Sequence, residues 1–455
     1  MANKVLIANR GEIAVRIIRA CKELGITSVA VYSKVDAHSL HVKLADEAIC
    51  IGEAKSSDTY LNINNIISAA VATGSNAIHP GYGFLSENDK FVSIMEKCNI
   101  KLVGPSSDAI KKLGDKTLAK EIAKSVNIPV VEGSVGIVET LEEATKICNK
   151  IGFPILIKAK SGGGGKGISI IKNQNDLNTL FERTKQEALA NFGDGSVYIE
   201  KYIESPRHIE VQIMADSFGN AVYLCERDCS IQRRNQKMIE ESPSPFVNDE
   251  LRKKLGEASV KLAKAVNYEN AGTVEFIVDK NSNYYFIEMN TRIQVEHPVT
   301  EMVTGIDLVK EQLKVAFGNP LSFTQDNIEI RGHAIECRVN AEDPDNNFMP
   351  SPGLIKNLVL PGGPGVRIDT HIYANYVVPP YYDSMLAKVI VYSPTRREAI
   401  RKMRSSLEQF MIDGIKTNME LQYVIMYNTD FVRGVYDTGF MNSFLEIVRM
   451  NKYEQ

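Results

Sequence analysis

Residues Glu288-Met-Asn-Thr-Arg-Ile-Gln-Val-Glu296 alternate strictly in chemistry, which makes this stretch an extended strand in prospect. Side chains along a strand point to opposite sides in turn. Glu288, Asn290, Arg292, Gln294 and Glu296 therefore share one face, and Met289, Thr291, Ile293 and Val295 share the other. Upstream, Gly272-Thr-Val-Glu-Phe-Ile-Val-Asp279 reads as a second strand, with Lys280-Asn-Ser-Asn283 as the hairpin turn between them. With the turn centred on Asn281 and Ser282, the numbers of facing residues add to 563, which sets Glu275 opposite Glu288. Facing Cβ atoms lie only ~5 Å apart, and like charges there repel. A divalent cation would remove that penalty, and ligands that are all oxygen suit Mg2+ or Mn2+. The plainer reading, an amphipathic edge strand with one solvated face, leaves the opposed carboxylates unexplained.

The chain of 455 residues is too long for one small core, so several domains are expected. From residue 1 to 114 strands and helices alternate. Lys4 to Ala8 and Thr27 to Tyr32 are strands around a helix from Gly11 to Leu24, and Ala77 and Lys101 open later units. That is a doubly wound α/β pattern with a mainly parallel sheet. Its first turn, Asn9-Arg10-Gly11, lacks G-x-G-x-x-G and an acid in the usual place after the second strand, which argues against a nicotinamide site. Residues 115–330 open with a helix at Lys116, pass through a strand near Ile128 and a helix from Glu139 to Lys150, and are otherwise rich in strands. Residues 331–447 begin with the strand Gly332 to Val339 and read as an α+β unit closing with helices.

A net charge of −3 gives no reason to expect nucleic acid or a membrane surface as partner. No apolar run approaches the ~20 residues that span a bilayer. The seven cysteines are scattered and odd in number, which fits a reducing cytoplasm rather than a disulfide framework. Cys225 and Cys229 are the one close pair; without a second pair or a nearby histidine they read as structural.

Lys158-Ala-Lys-Ser-Gly-Gly-Gly-Gly-Lys-Gly167 joins two strands. Consecutive glycines let backbone N–H groups approach phosphate oxygens. Lys166 is followed by Gly167 and then a strand, so this is no Walker A loop but a flap over nucleotide phosphates, with Lys116 and Lys158 as further cations. Glu200-Lys201-Tyr202-Ile203 suits the rim of an adenine pocket. His208, Glu210 and Gln212 share one face of another strand, and Ser230 to Lys237 forms a cationic and amide patch. Glu240 and Glu241 offset that patch, so it reads as a small-anion pocket. Glu296, with Arg292 and Lys237, would hold a small acid such as bicarbonate and take its proton; cations nearby would keep the carboxylate ionised. Arg338 would face the same cleft.

Taken together, Ile7 to Ala14, His79 to Asn88, the glycine flap, Glu226 to Arg234, Glu288 to Thr300 and Pro379 to Met385 resemble the biotin carboxylases of the ATP-grasp superfamily, from about residue 3 to 447. The resemblance implies an N-terminal domain of 1–114, an ATP-grasp domain of 115–330 with a movable lid of about 130–203, and a C-terminal domain of 331–447. It implies ATP contacts at Lys116, Lys158, Gly164, Gly165, Glu200, Lys201, Tyr202, Ile203, His208, Gln232, Glu275 and Glu288. Metal ligands would be Glu275, Glu288 and Asn290, with two Mg2+ or Mn2+ sites. Bicarbonate would lie among Lys237, Arg292, Gln294, Val295 and Glu296, and Arg338 would meet the biotin ureido oxygen. The catalytic set would be Glu296, Arg292, Lys237 and Arg338.

The implied reaction carboxylates carrier-bound biotin with ATP and bicarbonate, the first half-reaction of acetyl-CoA carboxylase on the way to fatty acids. A biotin carboxyl carrier protein and a carboxyltransferase would be its partners, and a homodimer its state, through the helix bearing Arg16, Arg19 and Glu23. No Met-Lys-Met biotin attachment motif is present, which points to a separate subunit. The rivals are the same module serving a pyruvate or propionyl-CoA carboxylase, and an inactive ATP-binding regulatory module. Asn235 (often histidine in the family), Lys160, Lys166 and Pro364 depart from the usual pattern.

Overall fold

The computed structural model describes residues 3–134, 136–160 and 167–453. Five strands form the N-terminal sheet: β1 (Lys4–Ile7), β2 (Thr27–Tyr32), β3 (Glu47–Cys50), β4 (Ala77–His79) and β5 (Lys101–Leu102). All pair in parallel, in the order β3-β2-β1-β4-β5. Val5, Leu6 and Ile7 are fully buried, as a strand covered on both faces requires. The helix Gly11–Glu23 stops at Gly25, whose φ of 67° lies in the left-handed region.

A three-stranded sheet stands apart, in the order β7-β6-β8, from β6 (Ile155–Ala159), β7 (Ile168–Ile171) and β8 (Val197–Lys201). It has its own core, in which Ile155, Ile157, Ile199 and Phe181 meet. The helix Gln174–Phe192 packs on this sheet, and Asp249–Ala265 packs on the large sheet described next. These two long helices correct the reading of this region as otherwise mainly strands. Their polar surfaces hide an apolar stripe, for instance Leu177, Phe181 and Ala188 at four- and seven-residue spacing. Near Ile128 the expected strand reduces to a single bridge, Val130 to Phe286.

The frame of the site is an eight-stranded, wholly antiparallel sheet. It contains β9 (Arg207–Ala215), β10 (Ala221–Arg233), β11 (Gln236–Ser242), β12 (Asn270–Val278), β13 (Tyr284–Asn290) and β14 (His333–Asn340), with the strands Met385–Ser393 and Val366–Thr370. Its order is β13-β12-β9-β10-β11-β14, then Met385–Ser393, then Val366–Thr370. The sheet therefore runs without a break from the middle of the chain into the C-terminal region through the β11–β14 pairing. Among the described residues no helix is long and apolar enough to cross a membrane.

Candidate active site

Glu275 does pair directly with Glu288, though not by the simple count. Near the turn the facing pairs are Val278 with Tyr284, Ile277 with Tyr285 and Phe276 with Phe286, one step short of the expected register. A bulge at Ile287 makes up the difference before Glu288. The bulge also resolves a conflict of phase. Phe286 and Glu288 are two residues apart and would share a face in a regular strand. Instead Phe286 is fully buried against Phe276, while Glu288 lines the cleft. The strand itself ends at Asn290 rather than running to Glu296; bends at Thr291 and Arg292 lead to the helix His297–Thr304.

Lys116, Lys158, His208, Gln232, Lys237, Glu275, Glu288, Asn290, Arg292, Gln294, Val295 and Arg338 all line one cleft of about 1020 Å³. Its floor is organised around Lys237 of β11. The ammonium donates to Glu275 at 2.9 Å, to Glu296 at 2.7 Å and to Glu210. Burial works against its charge, but Glu210, Glu275 and Glu296 outweigh it and hold its pKa well above the usual value. Glu296 is wholly buried, with Oε1 accepting from Lys237 and Oε2 accepting from Arg338 at 3.0 Å. Burial alone would protonate it; Lys237, Arg338 and Arg227 outweigh burial and keep it ionised. Gln294 donates to Glu275 at 3.0 Å, and the Val295 carbonyl accepts from Lys388 at 2.8 Å.

The repulsion expected between Glu275 and Glu288 is met by protein cations. Glu275 takes Lys237, and His208 Nε2 at 2.9 Å, which together overcome burial and hold its pKa well below the usual range. Asn290 donates to it at 2.9 Å. Glu288 lies 3.3 Å from Lys116, whose helix Lys116–Ser125 is capped by Asp115 accepting from the Thr117 and Leu118 amides. Glu275, Glu288 and the amide oxygen of Asn290 thus offer a hard-oxygen ligand set at one end of the cleft, the kind a divalent cation takes.

The nucleotide residues divide. Glu200 forms ion pairs with both Lys158 and Lys120. Lys201 donates its ammonium to the carbonyls of Gly152 and Phe153, so its side chain braces the small sheet rather than facing the cleft. Lys201 ends β8, and Tyr202 and Ile203 follow it. Gly164, Gly165 and Lys166 lie outside the described residues. The backbone amide of Lys160 bonds to Ser196. Asn235 and Arg234 have φ of 63° and 50° and form the two-residue turn between β10 and β11, a conformation asparagine tolerates well. Pro364 lends its carbonyl to Lys402.

Several partners escaped the sequence. Glu87 binds Arg292 Nε at 2.9 Å and the Thr291 amide at 3.1 Å. Arg227, fully buried, donates to Glu210, Gln212, Thr273 and Thr300. Glu210 already stood on the polar face with His208, and that face was the signal for it. Lys120 lies one helical turn after Lys116, a spacing that places both on one side of the helix. Cys229 lies behind Glu296, its thiol 3.8 Å from the carboxylate, and Cys225 occupies an irregular point of β10 with φ of 69°; both are buried.

Residues 1–110 match the profile of the biotin carboxylase N-terminal domain, residues 115–324 that of the carbamoyl-phosphate synthase L chain ATP-binding domain, and residues 336–443 that of the biotin carboxylase C-terminal domain. The chain is 57% identical over 445 residues to biotin carboxylase 1 of Bacillus subtilis, covering 98% of this chain and 99% of that one. It is 51% identical over 444 residues to a pyruvate carboxylase subunit of Methanothermobacter thermautotrophicus, covering 98% of this chain and 90% of that protein. A solved dimer of the biotin carboxylase domain of Hydrogenobacter thermophilus 2-oxoglutarate carboxylase, with MgADP, ADP and bicarbonate, superposes with a TM-score of 0.91 at 49% identity, covering 97% of this chain and 98% of that one. With near-complete coverage at this identity, and an ATP-grasp core flanked by both biotin carboxylase domains, the chain belongs to the biotin carboxylases, ATP-dependent ligases.

Proposed function

We propose that this chain carboxylates carrier-borne biotin for acetyl-CoA carboxylation, using ATP and bicarbonate, with Glu296 as the general base. The observation that carries the reading is the placement of Glu296, sealed at the cleft floor between Lys237 and Arg338. An ionised carboxylate held by the ammonium of Lys237 and the guanidinium of Arg338 is a base waiting for an acid. A bicarbonate entering among Lys237, Arg292, Gln294 and Val295 would draw off part of the lysine's attraction. That raises the basicity of Glu296 when its substrate arrives.

Glu296 removes the bicarbonate proton and later releases it to solvent. The bicarbonate oxygen attacks the γ-phosphorus, the bond to ADP breaks, and carboxyphosphate forms. Its C–O bond then cleaves to CO2 and phosphate. That phosphate takes the N1′ proton of biotin, and the N1′ lone pair attacks CO2. Arg338, freed from Glu296, holds the ureido oxygen as charge develops on it. Lys116, Lys158 and His208 place the ATP phosphates. Glu275, Glu288 and Asn290 would hold Mg2+ or Mn2+, which when bound neutralises charge on the transferred phosphoryl group. Residues 130–203 act as the lid of the 115–330 domain and exclude water from carboxyphosphate.

A carrier protein and a carboxyltransferase complete the reaction, in the cytoplasm, and the enzyme works as a homodimer. Arg19 and Glu23 face outward on the helix Gly11–Glu23, whereas Arg16 is turned inward to Glu301 and Asp307. Service in a pyruvate carboxylase is the second reading, favoured by the similarity to the Methanothermobacter thermautotrophicus protein.

The test is Glu296→Gln, assayed with free biotin. Loss of the general base is expected to lower carboxylation about 10³-fold with ATP affinity kept. Carboxylation by the variant at the wild-type rate would overturn the general-base assignment, whereas no carboxylation by the wild-type chain would bring back the regulatory reading. Which transferase captures the carboxylated carrier separates the two parent complexes.

A further inference from the structure

One face of the large sheet carries charges that the chemistry above leaves unused. Glu240 of β11 stands directly opposite Glu336 of β14. Facing Cβ atoms in such a pair are about 5 Å apart. Both residues are fully buried, and no donor among the described residues hydrogen-bonds to any of the four carboxylate oxygens. In the next cross-strand row Arg338 stands opposite Lys388, and Lys388 opposite Asp369. Arg338 Nε lies 2.6 Å from Glu240 Oε1, at an angle too oblique for a hydrogen bond, while its Nη2 serves Glu296. Lys388 donates to the Val295 carbonyl and lies 3.2 Å from Glu12. The charged and titratable groups around the pair are Arg338, Lys388, Lys237, Glu296, Glu210 and Tyr82, with the thiols of Cys229 and Cys337.

Two ionised carboxylates facing each other in a dry sheet, with one arginine already shared with Glu296, carry a heavy repulsion and no hydrogen bonds to offset it. One proton held between them removes a charge and supplies a hydrogen bond. Burial, with Glu296 adding to it and Arg338 opposing, pushes Glu240 up to about 7; burial and Glu240 push Glu336 well above the usual range. We propose that Glu240 and Glu336 share a single proton and act as a monoanionic clamp that positions Arg338 for biotin. A doubly charged pair would hold the guanidinium back from the ureido oxygen. A neutral pair would leave a buried cation unpaired whenever Arg338 leaves Glu296. Glu240 and Glu336 are thus positioning residues, acting through Arg338.

This inference rests on the biotin role of Arg338, so Arg338→Gln is the control. It should lose carboxylation of free biotin. If it carboxylates normally, the reading of the site fails, and the inference with it. Glu240→Gln and Glu336→Gln each replace a protonated carboxyl with a neutral amide of the same shape, and each should lose no more than about threefold in kcat. The double variant removes the clamp's charge and should lose about thirtyfold in kcat for biotin carboxylation, on the scale of a broken buried charge pair. Its KM for ATP and its biotin-independent ATP cleavage should stay near wild type. Single losses as large as the double loss, or a double variant with wild-type carboxylation while Arg338→Gln is inactive, would overturn the clamp alone. Difference infrared spectra decide the matter if the double variant does not fold. A protonated-carboxyl C=O band should be present in the wild type and missing from both single variants. Its absence from the wild type, or its loss in only one single variant, would overturn proton sharing.

Discussion

At the scale of single residues, the same acid can be a reagent, a ligand or a strut, and its neighbours decide which. Glu296 and Asp36 are both fully buried and ionised. Glu296 faces Lys237 and Arg338, which line the cleft. Asp36 instead receives two hydrogen bonds from the Arg10 fork, at 2.7 and 2.8 Å, and one from Tyr60. It is the acid that follows the second strand, and it anchors the first turn of the domain through Arg10. Burial works against its charge, but the Arg10 bonds outweigh it and lower its pKa from 3.8 to about 2. That shift corresponds to about 2 kcal/mol of stability. Because the folded-state pKa is depressed, the stabilisation is complete above pH 3.8 and is lost as pH falls toward about 2. Asp36→Asn should therefore unfold earlier in urea by about 2 kcal/mol at pH 7, with the gap narrowing only below pH 4. A gap that widens on acidification would show that Asp36 is not ionised through Arg10.

At the scale of elements, the opposed carboxylates of the hairpin were legible because alternation and turn chemistry are local. Their true register was not, because the bulge at Ile287 answers to the burial of Phe286 in a core that lies far along the chain. The helix Gln174–Phe192 was missed for the opposite reason: its apolar stripe is narrow and its surface polar, so the region read as mainly strands, and the helix shows only once a sheet is placed beneath it. Lys120 shows the same limit. Nothing in the sequence pairs it with Glu200, eighty residues on, yet it ties the helix Lys116–Ser125 to the small sheet. Glu200 holds Lys120 and Lys158 together, and the two cations outweigh burial to lower its pKa. Without Lys120 the carboxylate keeps Lys158 to itself and withholds it from phosphate. Lys120→Ala should raise the KM for ATP two- to fivefold, about 0.5–1 kcal/mol for a partly exposed pair, with kcat little changed. An unchanged KM would mean that Lys158 does not need to leave Glu200 for nucleotide to bind.

At the scale of the whole molecule, the site is assembled where three layers meet. The parallel N-terminal sheet contributes Glu87 and Arg10 from the loops beyond its strand ends. The eight-stranded sheet supplies the floor from Lys237 to Arg338, and the small sheet with its separate core supplies Lys158 and Glu200. The bridge from Gly133 to Glu200 ties the entering segment to the small sheet, and Val130 to Phe286 ties that segment to the body. Ligands that bridge the two should therefore stabilise more than the cleft itself. Mg2+ with ATP can bridge them, because Glu288 and Glu275 lie on the body and Lys158 on the small sheet. A ligand at 100 times its Kd stabilises by about 2.7 kcal/mol. ATP with Mg2+ should raise the melting temperature and slow amide exchange across residues 130–203, whereas ATP with a chelator should do neither to the same extent. Glu288→Lys should abolish the Mg2+-dependent part, since it exchanges an oxygen ligand for a cation beside Lys116. If wild type and Glu288→Lys gain equally from Mg2+, the metal is not held by the opposed carboxylates. The pairing of Glu275 with Glu288 would then be a structural feature of the bulge alone.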